Sequence, residues 1–139
     1  MNVSIKKTLP VLILTLVLSL VMIAGSAFAA TSKDYRIVRA DDPEVNSRAN
    51  DYAVTPASVA DDGTTVTLGF NTSFLFNINS LSISNDGGST YTTYSGSTSG
   101  GVISFTFPVD DFSVNTKAKI AVSVFGLYNE TYDIQIKWL

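Results

Sequence analysis

The chain of 139 residues lacks cysteine and histidine, and its two methionines, Met1 and Met22, both lie near the N-terminus. Without these side chains the rest of the chain can form no disulfide, no thiolate or Ser-His nucleophile, and no zinc site built on histidine or cysteine. The acidic pairs Asp61-Asp62 and Asp110-Asp111 are typical of turns rather than of a catalytic carboxylate pair. We therefore expect a protein that is not an enzyme.

Positive charge is also scarce. Nine Lys and Arg stand against twelve Asp and Glu in the whole chain, and two of the nine, Lys6 and Lys7, lie in the N-terminal segment. From residue 30 onward the net charge is therefore about minus five, whereas a nucleic-acid-binding domain usually presents a basic patch. The composition predicts no nucleic-acid partner.

The first 29 residues have the pattern of a secretion signal. Lys6 and Lys7 are followed by an apolar run over residues 11–24 and by the small-x-small sequence Ala27-Phe28-Ala29. The run is shorter than the ~20 residues of a typical membrane-spanning helix, so we expect cleavage after Ala29, with an uncleaved anchor as the alternative. The protein should be secreted, either released or loosely associated with the cell wall, with no stable membrane insertion. One domain, 30–139, remains.

Apolar residues alternate with polar ones in short segments between turn signals, which favours strands. Val66, Leu68 and Phe70 follow the turn Asp61-Asp62-Gly63, and similar alternation recurs around Leu81, over 102–107 and over 117–125. The spacing predicts six or seven strands in an all-β, immunoglobulin-like antiparallel sandwich. Residues 46–51 lack strand patterning and predict a short 3₁₀ or helical segment, while Ser95 to Gly101 predicts a loop.

Two tyrosines, Tyr128 and Tyr132, lie four residues apart in the last predicted strand, so they share one face. In a flat strand their Cα atoms would be ~13 Å apart, so the phenols meet only if they lean together. After residue 30 tyrosine is the only common haem ligand that the chain offers. One interpretation is that Tyr128 binds ferric iron as a phenolate and Tyr132 hydrogen bonds to that oxygen. The other is that both rings simply cover a sheet face.

Three stretches together resemble the NEAT (near-iron-transporter) haem-binding domains of Gram-positive surface proteins. The hairpin 118–134 contains a Tyr-x-x-x-Tyr motif, residues 47–57 are similar to the short-helix segment of that family, and residues 71–75 resemble the strand end beside its pocket. The resemblance covers almost everything after Asp34. Arg48 and Leu75 depart from the usual family pattern.

The resemblance implies that Tyr128 is the axial ligand of ferric haem and that Tyr132 hydrogen bonds to it. It further implies that the haem propionates are contacted by Ser47, Tyr52 and Arg48. The apolar pocket would be formed by Phe74, Ile120, Val122 and Val124. A haemophore-like carrier for iron acquisition is the function that it implies, with haemoglobin or other NEAT proteins as donor or acceptor.

Two alternatives remain open at this point. In an adhesive or carbohydrate-binding sandwich, Tyr91, Tyr94, Tyr128 and Tyr132 would stack on sugar rings. In a haemoglobin-binding NEAT domain, the protein rather than free haem would be the ligand. Such domains typically lack the tyrosine pair, so the pair favours haem.

Overall fold

The computed structural model describes residues 30–139, and it contains two five-stranded antiparallel sheets. The predicted signal peptide lies outside the described residues. The first sheet has the order β1 (Thr31–Lys33), β3 (Ala53–Val59), β4 (Thr65–Asn71), β8 (Val102–Pro108), β7 (Ser97–Ser99). The second has the order β2 (Tyr35–Arg39), β10 (Tyr128–Trp138), β9 (Thr116–Val124), β5 (Phe76–Ser84), β6 (Thr92–Tyr94). The predicted all-β sandwich is confirmed.

The core forms where the apolar side chains of each alternating strand point inward. On β4 the residues Val66, Leu68 and Phe70 are fully buried, and β8 pairs with them in antiparallel register through its own buried Phe107, Phe105 and Ile103. The second sheet contributes Leu81, Ile83, Ile120, Ile134 and Ile136 to the same cluster. Burial of each such side chain stabilises the fold by roughly 1.5–3 kcal/mol, so the alternation in the sequence determines which face of each strand is inside.

The expected loop over Ser95 to Gly101 is wrong, because Ser97–Ser99 form strand β7 along the edge of the first sheet. Gly100 and Gly101 have φ angles of 59° and 77°, which let a two-residue turn join β7 to β8. A Cβ atom on Gly96 would lie 2.5 Å from Ile103 Cγ1, so the strand approaches the core only because residue 96 is glycine. The residues described therefore contain ten strands instead of the six or seven expected.

The predicted short helix is present as a 3₁₀ helix over Arg48–Tyr52. Ser47 caps it, and Ala49 is its buried residue. Two hydrogen bonds connect this segment to β2, since Ser47 N donates to Ile37 O at 2.9 Å and Ile37 N donates to Asn50 Oδ1 at 2.8 Å. The helix is thus held against the edge strand of the second sheet. No helix in residues 30–139 is long and apolar enough to cross a membrane.

Candidate functional site: a tyrosine-bearing cavity

A cavity with a volume of about 1200 Å³ lies in the described part of the chain. Its wall is formed by the segment that includes the 3₁₀ helix, by the start of β5 and by strands β9 and β10. Eight residues singled out from the sequence contribute to this wall, namely Ser47, Arg48, Tyr52, Ile120, Val122, Val124, Tyr128 and Tyr132. The fold brings together residues that are up to 85 positions apart in the chain.

The floor of the cavity is apolar. Ile120, Val122 and Val124 occupy alternate positions on β9, so their side chains share one face. Ile120 and Val122 are buried, and Val124 is half-buried nearer the hairpin. The same face of β9 contributes to the core and to the cavity, because Ile120 belongs to the hydrophobic core and also lines the cavity.

The β9–β10 hairpin positions the two tyrosines. Phe125 and Gly126 adopt left-handed φ angles of 54° and 68°, and Leu127 N donates to Val124 O, which closes the turn. The turn fixes a register in which Tyr128 lies opposite Val124 and Tyr132 lies opposite Ile120. Both phenols therefore project over the apolar floor, and each tyrosine remains about half exposed, at 53% and 49%.

The hydroxyl of Tyr128 is held by polar neighbours. It donates to Glu130 Oε2 at 2.9 Å, and the Tyr132 hydroxyl lies near it. The Tyr132 contact first, and then the hydrogen bond and charge of Glu130, raise the pKa of Tyr128 to about 12. The protein alone therefore favours the neutral phenol, and a phenolate at neutral pH requires a strong positive charge on a bound ligand.

One side of the cavity carries donors suited to an anion. Ser47 accepts from Ala49 N at 3.3 Å as the helix cap, which leaves its hydroxyl proton available for donation. Arg48 is exposed and forms no ion pair with any described residue. Arg39, by contrast, is paired with Asp41 at 2.6 Å, and this pairing lowers the pKa of Asp41. Arg48 is thus the cation of this wall that is free to meet an anionic ligand.

Tyr52 stacks on Phe76 with ring centroids 4.3 Å apart, and both residues line the cavity, with Tyr52 partly exposed. Phe74 has a different position from the other predicted pocket residues. It is 94% exposed and does not line the cavity, whereas the next two residues, Leu75 and Phe76, do. A role for Phe74 at the edge of a bound ligand remains a prediction.

Leu75, Phe76 and Phe125 also line the cavity, although the sequence predicted none of them as pocket residues. Phe125 N donates to Leu75 O at 2.9 Å, so the β4–β5 loop and the β9–β10 hairpin are joined at the cavity rim. The available signal was a run of three large apolar residues, Phe74, Leu75 and Phe76, in which strand alternation does not reveal which member points inward. The contact between two distant loops decides that choice.

The four tyrosines considered for sugar stacking do not form one platform. Tyr91 lies under Lys119, whose Nζ is 4.9 Å from the ring centroid, and Tyr94 packs against the core near Phe107. Only Tyr128 and Tyr132 of this set line the cavity.

The NEAT family model, described as the iron transport-associated domain, matches residues 31–138. The chain belongs to the NEAT family. The match spans both sheets and the whole cavity wall of this NEAT domain. No curated protein matches the chain significantly.

Two solved structures of the NEAT5 domain of IsdX2, a B. anthracis hemophore, are similar to this NEAT domain. A point mutant of that domain in complex with heme has a TM-score of 0.67 at 19% identity, with 81% of this chain and 95% of that chain covered. The NEAT5 domain in complex with heme has a TM-score of 0.66 at 19% identity, with 81% and 96% covered. This likeness establishes the shared sandwich fold.

Proposed function

We propose that this NEAT domain binds ferric haem as cargo in its cavity, with Tyr128 as the axial ligand, and carries it outside the cell for iron acquisition. The observation that carries the proposal is the pair of phenols, Tyr128 and Tyr132, above an apolar floor in a cavity of about 1200 Å³. The heme bound by the similar IsdX2 domains supports the same cargo for this chain.

The shape and polarity of the cavity suit haem, which is a broad apolar plate with two carboxylates on one edge. Its volume exceeds the ~300–1,000 Å³ of pockets for smaller ligands. Burial of the plate against Ile120, Val122 and Val124 supplies the main favourable free energy. The donors of Ser47, Arg48 and Tyr52 then orient the plate by contact with its propionates.

The ligand chemistry suits ferric iron. A phenolate is a hard, anionic oxygen ligand, so it favours iron(III) over iron(II). In this scheme the Tyr132 hydroxyl donates to the Tyr128 oxygen and helps to hold its charge.

We also propose that the domain passes its haem on to another protein. A single tyrosinate bond can be released when the oxygen is protonated or the iron is reduced, so a carrier with this ligand can pass haem on. Haemoglobin or another NEAT protein would serve as donor or acceptor, and the protein would act in the medium or loosely associated with the cell wall.

The test is a haemin titration of residues 30–139, which include one compact unit with its own core. We expect a saturable one-to-one Soret band with the spectrum of a high-spin ferric tyrosinate. Tyr128→Phe should abolish or strongly alter that spectrum, and Tyr132→Phe should shift it and weaken binding. Tyr91→Phe is the matched control, because it removes a phenol that does not line the cavity, and it should behave as wild type.

The same weak, non-saturating spectrum from wild type and Tyr128→Phe would overturn the proposal. Binding to haemoglobin and to a glycan panel would then be measured, because a haemoglobin-binding NEAT domain or an adhesive sandwich would be the remaining candidates.

A further inference from the structure

A carboxylate lies between the two tyrosines on the cavity face of β10. Positions 128, 130 and 132 alternate with outward-facing ones, so Glu130 shares the face of Tyr128 and Tyr132. In the hairpin register Glu130 lies opposite Val122, a residue of the apolar floor, while Glu130 itself is exposed and lies outside the residues that line the cavity. A negative charge beside an apolar binding surface carries a desolvation cost on ligand binding, so its presence calls for a physical account.

The contacts of Glu130 point to Tyr128. Its Oε2 accepts from the Tyr128 hydroxyl at 2.9 Å, which is its one hydrogen bond within the described residues. No Lys or Arg of residues 30–139 forms an ion pair with it. The carboxylate is therefore directed at the oxygen that the proposed function assigns to iron.

The contact with Glu130 favours the neutral phenol of Tyr128 over its phenolate. The neutral phenol has a proton to donate to the carboxylate, whereas a phenolate would leave two negative oxygens in contact without a proton between them. Formation of the iron bond breaks the Tyr128 O–H bond, releases its proton to solvent and transfers no electron. Glu130 must then turn away or accept the repulsion, so it opposes the bound state.

We propose that Glu130 is a positioning residue that weakens the bond between Tyr128 and ferric haem and so keeps the cargo releasable. The inference rests on the proposed function and deepens it, since it names the group that tunes release. Glu130 contacts the Tyr128 oxygen and does not itself bind iron.

The decisive variant is Glu130→Gln, which keeps the side-chain size but removes the charge and offers an N–H donor to the phenolate. Haem loss to excess apomyoglobin should become slower by about tenfold, the effect expected when a hydrogen bond to a charged oxygen replaces a like-charge contact. Glu44→Gln is the matched control, because Glu44 is the only other glutamate and is paired with Lys137 away from the tyrosines. It should release haem at the wild-type rate.

Two further readouts separate this effect from a structural one. The iron–phenolate stretching band in resonance Raman spectra should shift in Glu130→Gln and not in Glu44→Gln. Affinity for metal-free protoporphyrin IX, which forms no phenolate bond, should be unchanged in both variants.

Wild-type or faster haem loss from Glu130→Gln would overturn the role of Glu130 while leaving haem binding intact. A slower loss accompanied by an equal gain in affinity for metal-free protoporphyrin IX would also overturn it, because the effect would then be desolvation alone. If wild type shows no Tyr128-dependent haem spectrum, the proposed function fails together with this inference.

Discussion

At the scale of single residues, phenylalanines close together in the sequence have opposite environments. Phe70 on β4 is fully buried and contacts Phe105 edge to face at 6.2 Å between ring centroids, whereas Phe74 in the following loop is 94% exposed. A count of aromatic residues therefore says little about stability here. The position of each ring relative to the sheets decides its contribution.

We expect Phe70→Ala to lower the free energy of unfolding by about 3–5 kcal/mol, because it removes a fully buried ring and leaves a cavity. Phe74→Ala should change it by less than about 0.5 kcal/mol, since the ring buries almost no surface in the fold. Urea unfolding of both variants, followed by tryptophan fluorescence, measures the difference. A loss above about 1 kcal/mol for Phe74→Ala would show that this ring packs against the domain in solution.

At the scale of elements, hairpin turns determine the register of the strands that carry the site. The β3–β4 turn is held by Asp62, which accepts from Thr64 N at 2.9 Å, from Thr65 N at 2.8 Å and from Thr65 Oγ1 at 2.5 Å. The Thr65 hydroxyl contact first, and then the backbone N–H donors, lower the pKa of Asp62 to about 2. The ionised carboxylate thus favours the folded turn.

The sign of the pH effect follows from this lowered pKa. An aspartate with a pKa below its unfolded value of about 3.9 stabilises the fold above that pH and loses its contribution as the pH falls toward 2. Asp62→Ala should therefore lower the thermal midpoint at pH 7, with the difference from wild type shrinking between pH 4 and pH 2. Asp61→Ala is the control, since Asp61 accepts no side-chain hydrogen bond in the described structure. An equal thermal midpoint for Asp62→Ala and wild type at pH 7 would contradict the role of the Asp62 carboxylate in stabilising this turn.

At the scale of the whole molecule, the cavity wall joins the second sheet, the 3₁₀ helix and the β4–β5 loop. Ile120 belongs to both the core and the cavity floor, so a ligand on this floor contacts the packed interior directly. Ligand binding and global stability are therefore linked in this domain, because a ligand that binds only the folded state shifts the unfolding equilibrium.

Haemin in molar excess over the protein, at a free concentration above its dissociation constant, should raise the thermal midpoint of wild type. At a free concentration about 100 times that constant, the added free energy of unfolding is about 2.7 kcal/mol. Tyr128→Phe should show a much smaller rise at the same haemin concentration. Calorimetry on both proteins, with and without haemin, makes the comparison, and equal rises would indicate binding that does not involve Tyr128.

Much of the fold was predictable from the sequence, because burial acts on a local pattern. The alternation of Val66, Leu68 and Phe70, and of Ile103, Phe105 and Phe107, determined both the strands and their inward faces. The strand β7 was missed because its three residues are all exposed and carry no alternation. Its presence depends on pairing with β8 and on the close approach that Gly96 permits.

The sequence by itself determined the candidate chemistry of this NEAT domain: the absence of histidine and cysteine, and the Tyr128 and Tyr132 pair on one strand face. The family resemblance already implied that Ser47, Arg48 and Tyr52 belong to the same site. Only the tertiary structure decided that Phe76 lines the cavity and Phe74 does not, and that Glu130 contacts Tyr128. The physical reason is that side-chain periodicity is a local property of the backbone. Convergence of distant segments depends instead on sheet register and packing, which involve the whole chain.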